Sequence, residues 1–487
     1  MSIPFTQVSP SLLVPGFWAE FDNSMAGGET AMPWKVLIVG QQTGNAASEV
    51  TQIFSDDSAD QKFGKGSQLA LMIKAFRKNN TMMPLYALPV SDKSNGVAAT
   101  KTITITGTAT ESETLHLYIG GQSVSVPVTE NDAVASIAKN IADEVNAKAN
   151  LPMSASASAG VVTLTAKNKG ISAIDVRVNY GAGEVLPKGV SVAIANGTNG
   201  SNNPSLETLG FKNLIKGYWF NVIVSGLNDA ENVNYINEEL EDRWTATNQK
   251  TGVLFYGKTF ASADPVNEAV TFYNGKNSQL QMPISLIGSP TTEGEIAAAV
   301  ASVCAQKAEI DPALPLSNWK VLGILAPMEK DKLGIPEKNT LLQSGCADVD
   351  SAEDGTVYLR RMTTTYKTNA AGGADTSYQQ LESVFTLSFI RWDWNNYLAK
   401  KYPHAKLGND GDEYGIGQVV MTPKKGKAEA ISRFKYWMEK GLVQNFADFK
   451  TNLVVERNAS NKNRLDFLLP VELMNQLFTC ATLVQHR

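Results

Sequence analysis

Short apolar runs recur along this chain at spacings that leave room for one helix between neighbours, and this rhythm constrains the fold more than any other feature. KVLIVGQ (35–41), PLYALPV (84–90), FNVIVSG (220–226), TGVLFYG (251–257), LQMPISLIGS (280–289) and WKVLGIL (319–325) each read as a strand buried on both faces. Between them lie helical patterns. QLALMIKAFRKN (68–79) places Leu69, Met72, Ile73 and Phe76 on one face, and ENVNYINEELEDRW (231–244), DPVNEAVTFYN (264–274) and EGEIAAAVASVCAQKA (293–308) follow. Strands alternating with helices of this length predict a central βαβ layer, so the fold class is α/β within a multidomain α+β chain.

The rhythm is interrupted once. From residue 91 to 203 the composition shifts to Thr, Ser, Ala, Gly and Val, and KTITITGTAT, TLHLYIGGQSVSVPV and GVVTLTAKN alternate at period two around one helical segment, 132–148. A β-rich module inserted at 91–203 therefore splits a middle α/β domain into 34–90 and 204–335. Ahead of it, Pro4, Pro10, Pro15 and Pro33 disfavour a helix and predict an extended arm over 1–33. After Pro336 the character changes again, to a strand in TVYLRRMTTTYKT, a Gly-rich turn, and amphipathic helices over 378–401 and 427–441. This predicts a C-terminal α+β domain over 336–463.

The last segment, RLDFLLPVELMNQLFTCATLVQHR (464–487), is mostly apolar although chain ends ordinarily fray. Its VELMNQLFTCATLV portion fits strand alternation and a helical stripe equally well. Something must cover it.

Composition excludes several functions. With 43% apolar and 19% charged residues the 487-residue chain can bury large cores, and its net charge of -5 gives no overall attraction to nucleic acid or anionic lipid. No window approaches the roughly 20 apolar residues of a membrane span, and the N-terminus has no signal-peptide pattern. Cys304, Cys346 and Cys480 are odd in number and far apart, which predicts buried free thiols in a reducing compartment. His116, His404 and His486 are isolated, so a zinc site and a His-assisted nucleophile lack ligands and bases. GQQTGNA (40–46) has Asn45 where a phosphate loop needs Lys, and ADVDSAEDG (347–355) has Ala352 where a calcium loop needs an oxygen. These read as solvated loops. No catalytic, cofactor or metal residue is assigned.

VPGFWAEFDNSMAG (14–27) with LIVGQ (37–41), DTSYQQLESVFTLSFIR (375–391), YPHAKLGNDG (402–411) and RLDFLLPVELMNQLF (464–478) together resemble the contractile tail sheath proteins of Mu-like bacteriophages. The resemblance implies a protein with no reaction to catalyse. Subunits of such a sheath stack as hexameric rings in a helical sleeve around a tail tube, assembled in the host cytoplasm with baseplate and tail terminator proteins. Extended terminal arms add strands to a neighbour's sheet, which would explain the apolar end. On that reading Phe467, Leu468, Leu469, Val471, Leu473, Leu477, Phe478, Leu483 and Val484 form an inter-subunit arm, and a body that does not need the arm should survive truncation after Asn463. Lys424, Lys425, Lys427, Arg433, Lys435 and Lys440 form a basic cluster that is either a solvated face or a grip on an acidic tube. The C-terminal domain and N-terminal arm would face the tube, with the inserted module outermost. A sheath from a phage-tail-like bacteriocin and a soluble α/β enzyme with an inserted module are the alternatives.

Overall fold

The computed structural model describes residues 14, 16, 31–171, 175–180, 185–260, 262–415 and 417–486. The chain divides into two compact units, Met1–Pro33 and Trp34–Arg487. The expected N-terminal arm lies almost wholly outside the described residues, and the architecture that follows is that of the second unit.

It opens with β1 (Val36–Gln41), a short β2 (Thr51–Ile53), α1 (Asp56–Phe63), α2 (Gln68–Arg77) and β3 (Leu85–Val90). The chain then leaves through β4 (Val97–Gly107), β5 (Glu113–Ile119), β6 (Gln122–Val128), α3 (Val134–Ala147), β7 (Met153–Ser158), β8 (Val161–Lys169), β9 (Val178–Asn179) and β10 (Val190–Ser201). Two short helices, α4 (Leu206–Leu209) and α5 (Phe211–Ile215), bring it back. The alternation resumes with β11 (Val222–Ser225), α6 (Ala230–Trp244), β12 (Val253–Gly257), α7 (Pro265–Asn274), β13 (Gln281–Ile284) and α8 (Glu293–Ile310).

The strands on either side of the excursion join one six-stranded sheet of order β13-β12-β11-β1-β3-β2, parallel except for the edge strand β2. Val36, Leu37, Ile38 and Val39 are fully buried, as expected for a strand covered on both faces. Helices α2 and α8 pack on each other and on β1, β11 and β12. Their close approach needs Gly294, where an added Cβ would come within 3.0 Å of Met72 Sδ. Strand order reverses between β1 and β11, so the carboxyl ends of these strands flank the crevice where doubly wound sheets hold ligands.

Residues 97–201 build two further sheets, β10-β4-β8-β7 and β6-β5-β9. With α3 they enclose a separate core that includes Ile103, Leu115, Leu117, Val124, Ile137, Ile141, Val162 and Leu164.

The remaining elements are β14 (Lys320–Val321), α9 (Ile335–Ser344), β15 (Asp348–Ser351), β16 (Val357–Arg361), α10 (Leu381–Lys401), β17 (Lys406–Leu407), β18 (Val420–Met421), α11 (Pro423–Glu439), β19 (Val443–Gln444), α12 (Phe446–Asn452), β20 (Val454–Arg457), β21 (Leu465–Leu468) and β22 (Glu472–Leu473). WKVLGIL does not extend the parallel sheet as its pattern predicts. Only Lys320 and Val321 are strand, and they pair antiparallel with β16 in a small β14-β16-β15 sheet. Nor does packing break at Pro336, because Leu341, Val349, Leu359, Leu381 and Phe385 belong to the same core as the six-stranded sheet. A third core begins halfway along α10, where Ile390 and Trp394 meet Ala430, Phe434, Trp437, Phe449 and Leu453.

Candidate assembly surfaces

Structure divides the terminal segment into two parts that the sequence reading treats as one. Strand β21 pairs antiparallel with β20, and β22 pairs antiparallel with β19, all within the chain. Phe467 stands edge-on to Trp394, with ring centroids 5.3 Å apart, and reaches α11 because Gly426 has no side chain: a Cβ there would sit 3.1 Å from the Phe467 ring. Leu469, Val471 and Leu473 pack on the same third core. These four residues are therefore local core, which corrects the expectation that the body can spare everything after Asn463. The signal was legible: Phe467, Leu469, Val471 and Leu473 fall at every second position, the mark of a half-buried strand.

Beyond β22 there is neither helix nor strand through residue 486. Gln476 Nε2 donates to Ala313 O at 3.2 Å, and the Arg361 guanidinium lies 5.0 Å from the half-buried Phe478 ring. Other apolar residues face out: Leu468 is 61% exposed, Leu477 80%, Val484 83% and Leu483 95%. Cys480 is also exposed, whereas Cys304 and Cys346 are buried, so the expectation of three buried thiols holds for two.

The basic cluster divides as well. Helix α11 starts at a Thr422 cap and buries Gly426, Ala430, Phe434 and Trp437. Lys424, Lys425, Lys427, Lys435 and Lys440 are exposed. Arg433 is not: its Nε donates to Asp393 Oδ2 at 2.7 Å and its guanidinium lies 3.8 Å from the Tyr436 ring centre, while Trp437 Nε1 donates to the same Asp393 oxygen at 2.6 Å. Arg433 thus ties α11 to α10. Glu429 strengthens that tie, accepting from Lys401 Nζ at 2.7 Å and from Tyr402 Oη at 2.5 Å. Lys425 Nζ donates to Val420 O at 2.8 Å, and the exposed Glu439 sets a negative charge at the far end of the helix.

The weaker chemical candidates resolve into local structure. In GQQTGNA the amides of Thr43 and Gly44 both donate to Phe63 O, at 2.9 and 3.0 Å, so they do not form an anion cradle. In ADVDSAEDG, Asp354 Oδ1 accepts from Thr356 N at 2.9 Å and Asp350 pairs with Lys338 at 2.6 Å. Among the described residues no group of three His, Cys, Asp or Glu is placed to hold a metal ion. At the switch point between β1 and β11 a cavity of only about 30 Å³ remains, lined by Gln41, Gln68, Asn168, Asp175, Asn228 and Glu293 among others.

The described residues leave little room at the switch point, and the chain adds an inserted β module and an exposed apolar tail. Residues 94–192 match the model of the phage tail sheath protein beta-sandwich domain. A chain of the anti-feeding prophage baseplate shares the fold at a TM-score of 0.50 and 8% identity, covering 97% of this chain and 99% of that one. The sheath tail protein of Listeria innocua aligns at a TM-score of 0.49 and 13% identity over 92% of this chain and 93% of its own. The Mu-like prophage FluMu tail sheath protein of Haemophilus influenzae is 34% identical over the full length of this chain and 99% of its own. The chain belongs to the Mu-like phage tail sheath protein family.

Proposed function

We propose that this chain is the subunit of a contractile tail sheath, a structural protein rather than a catalyst. Copies stack as hexameric rings in a helical sleeve around a tail tube, and the sleeve contracts to drive the tube through a bacterial envelope. The tube, baseplate and terminator proteins are its partners, and assembly takes place in the host cytoplasm before the sheath joins the virion. The carrying observation is full-length relatedness to a tail sheath protein, joined to a tail that leaves Leu477, Leu483 and Val484 in water. In the proposed assembly this tail completes a sheet of the neighbouring subunit. Burying each such side chain contributes about 1.5–3 kcal/mol, and main-chain bonds give direction.

Electron microscopy of the purified full chain should show tubes or rings. Truncation after Met474 keeps β22 and the third core, so it should give a folded protein with near-unchanged thermal stability that forms neither. Tubes from the truncated protein would refute the linkage role of the tail. Truncation after Asn463 should instead destabilise the monomer by several kcal/mol, because it removes four core side chains.

A further inference from the structure

Helices α2 and α8 both begin at the switch-point crevice, and the first N–H groups of a helix have no partner inside it. In sheets of this type that position receives an anionic group of a ligand. Here both positions are taken by side chains from the inserted module. The amide of Gln68, first residue of α2, donates to Asn168 Oδ1 at 2.9 Å, and the amide of Glu293, first residue of α8, donates to Asp175 Oδ2 at 2.6 Å.

The attachment continues around these two caps. Asn168 is buried and donates through Nδ2 to Gln42 O at 3.0 Å and to Asp92 Oδ1 at 3.2 Å. Asp92 stands where the chain passes from β3 towards the module, and its other oxygen accepts from Lys169 N at 2.9 Å. Gln41 Nε2, at the end of β1, reaches both Asp92 Oδ1 and Lys169 O at 2.7 Å. One carboxylate thereby joins the outgoing strand, the returning strand β8 and the central strand of the body. On the way back Asn203 Oδ1 accepts from Ile171 N at 2.8 Å, and its Nδ2 donates to Asp229 Oδ2 at 3.1 Å, at the cap of α6.

We propose that the module is the built-in occupant of the switch-point crevice, and that Asn168, Asp92 and Asp175 lock it to the α/β body so that the two unfold as one cooperative unit. A module with its own core, held by two short connections, would by default move and melt independently. A buried polar network shared across the seam opposes this, since opening it leaves several buried donors and acceptors unpaired at once.

The chain's eight tryptophans all lie outside residues 91–203. Tryptophan emission therefore reports the chain outside the module, while pulsed hydrogen exchange of β5 and β6 amides reports the module. For the full chain in guanidinium the two transitions should coincide, and two separate midpoints overturn the lock. In Asn168→Ala the transitions should separate, and exchange at the Gln68 amide should rise at least tenfold. Coincident midpoints with unchanged Gln68 exchange in that variant also overturn it. Asn168→Asp keeps an oxygen for Gln68 but turns the Nδ2 donor into an acceptor facing Gln42 O and Asp92 Oδ1, so it should separate the two midpoints as well. Where the alanine variant does not fold, the wild-type comparison decides alone.

Discussion

At the scale of single residues, the third core and the main core meet at α10 through groups whose charge is tightly placed. Glu382, in the first turn of α10, is fully buried, and burial pushes its carboxyl up to about 7 despite the hydrogen bond it accepts from Leu316 N at 2.8 Å and the field of Arg361. Its ordinary value is 4.5. Between about 4.5 and 7 the unfolded chain sheds this proton and the folded chain keeps it, so its contribution to stability is full below the window and is lost as pH rises through it. Glu382→Gln keeps an acceptor for Leu316 and carries no charge. The variant should therefore be more stable than wild type at pH 8, by up to about 3 kcal/mol, and about equal to it at pH 4. Urea unfolding at the two pH values checks this, and an identical pH dependence in both proteins would show that Glu382 ionises freely.

At the scale of elements, α11 turns Arg433 and Glu429 towards α10 and leaves Lys424, Lys425, Lys427 and Lys435 exposed, with Glu439 the acidic residue among them. Exposed pairs contribute about 0–1 kcal/mol each and are screened by salt, which suits a contact made and released within one assembly. Charge reversal at Lys427 and Lys435 together should reduce assembly on tubes while leaving tube-free polysheaths intact; cosedimentation with and without tubes distinguishes the two, and unchanged assembly on tubes would assign these lysines to solvent. Arg433 is excluded from this test because its loss would unseat Asp393 and Trp437. The strands and helices of the parallel layer were legible because buried parallel strands are continuous apolar runs, as in Val36–Gln41 and Val253–Gly257. Helix α1, DDSADQKF, was not, since only Ala59, Asp60 and Phe63 are buried and the pattern is too polar to register. The tail misled for a different reason. Its alternation is satisfied within the chain only as far as Leu473, and past that point period two carries no local partner from which a register could be read.

For the whole molecule we propose three layers in the assembled sheath: an inner one from the C-terminal part, a middle one from the α/β sheet, and the β module outermost. Excising the module would not test this layout, because it would expose Gln41, Gln68 and the start of α8. An epitope inserted at Glu111, in the exposed turn between β4 and β5, leaves the seam with the body intact. Assembled tubes should form normally and bind antibody along their length. Tubes that form but stay undecorated would place the module inside.

The three thiols make the chain its own probe of tail engagement. With Cys304 and Cys346 buried, and burial pushing the Cys346 thiol up to about 12, alkylating reagents at neutral pH have one open target, Cys480. Its rate of modification becomes a clock for how often the tail is unoccupied: fast in isolated subunits, slow in tubes if a neighbour covers it, and measurable during contraction without any label having been introduced.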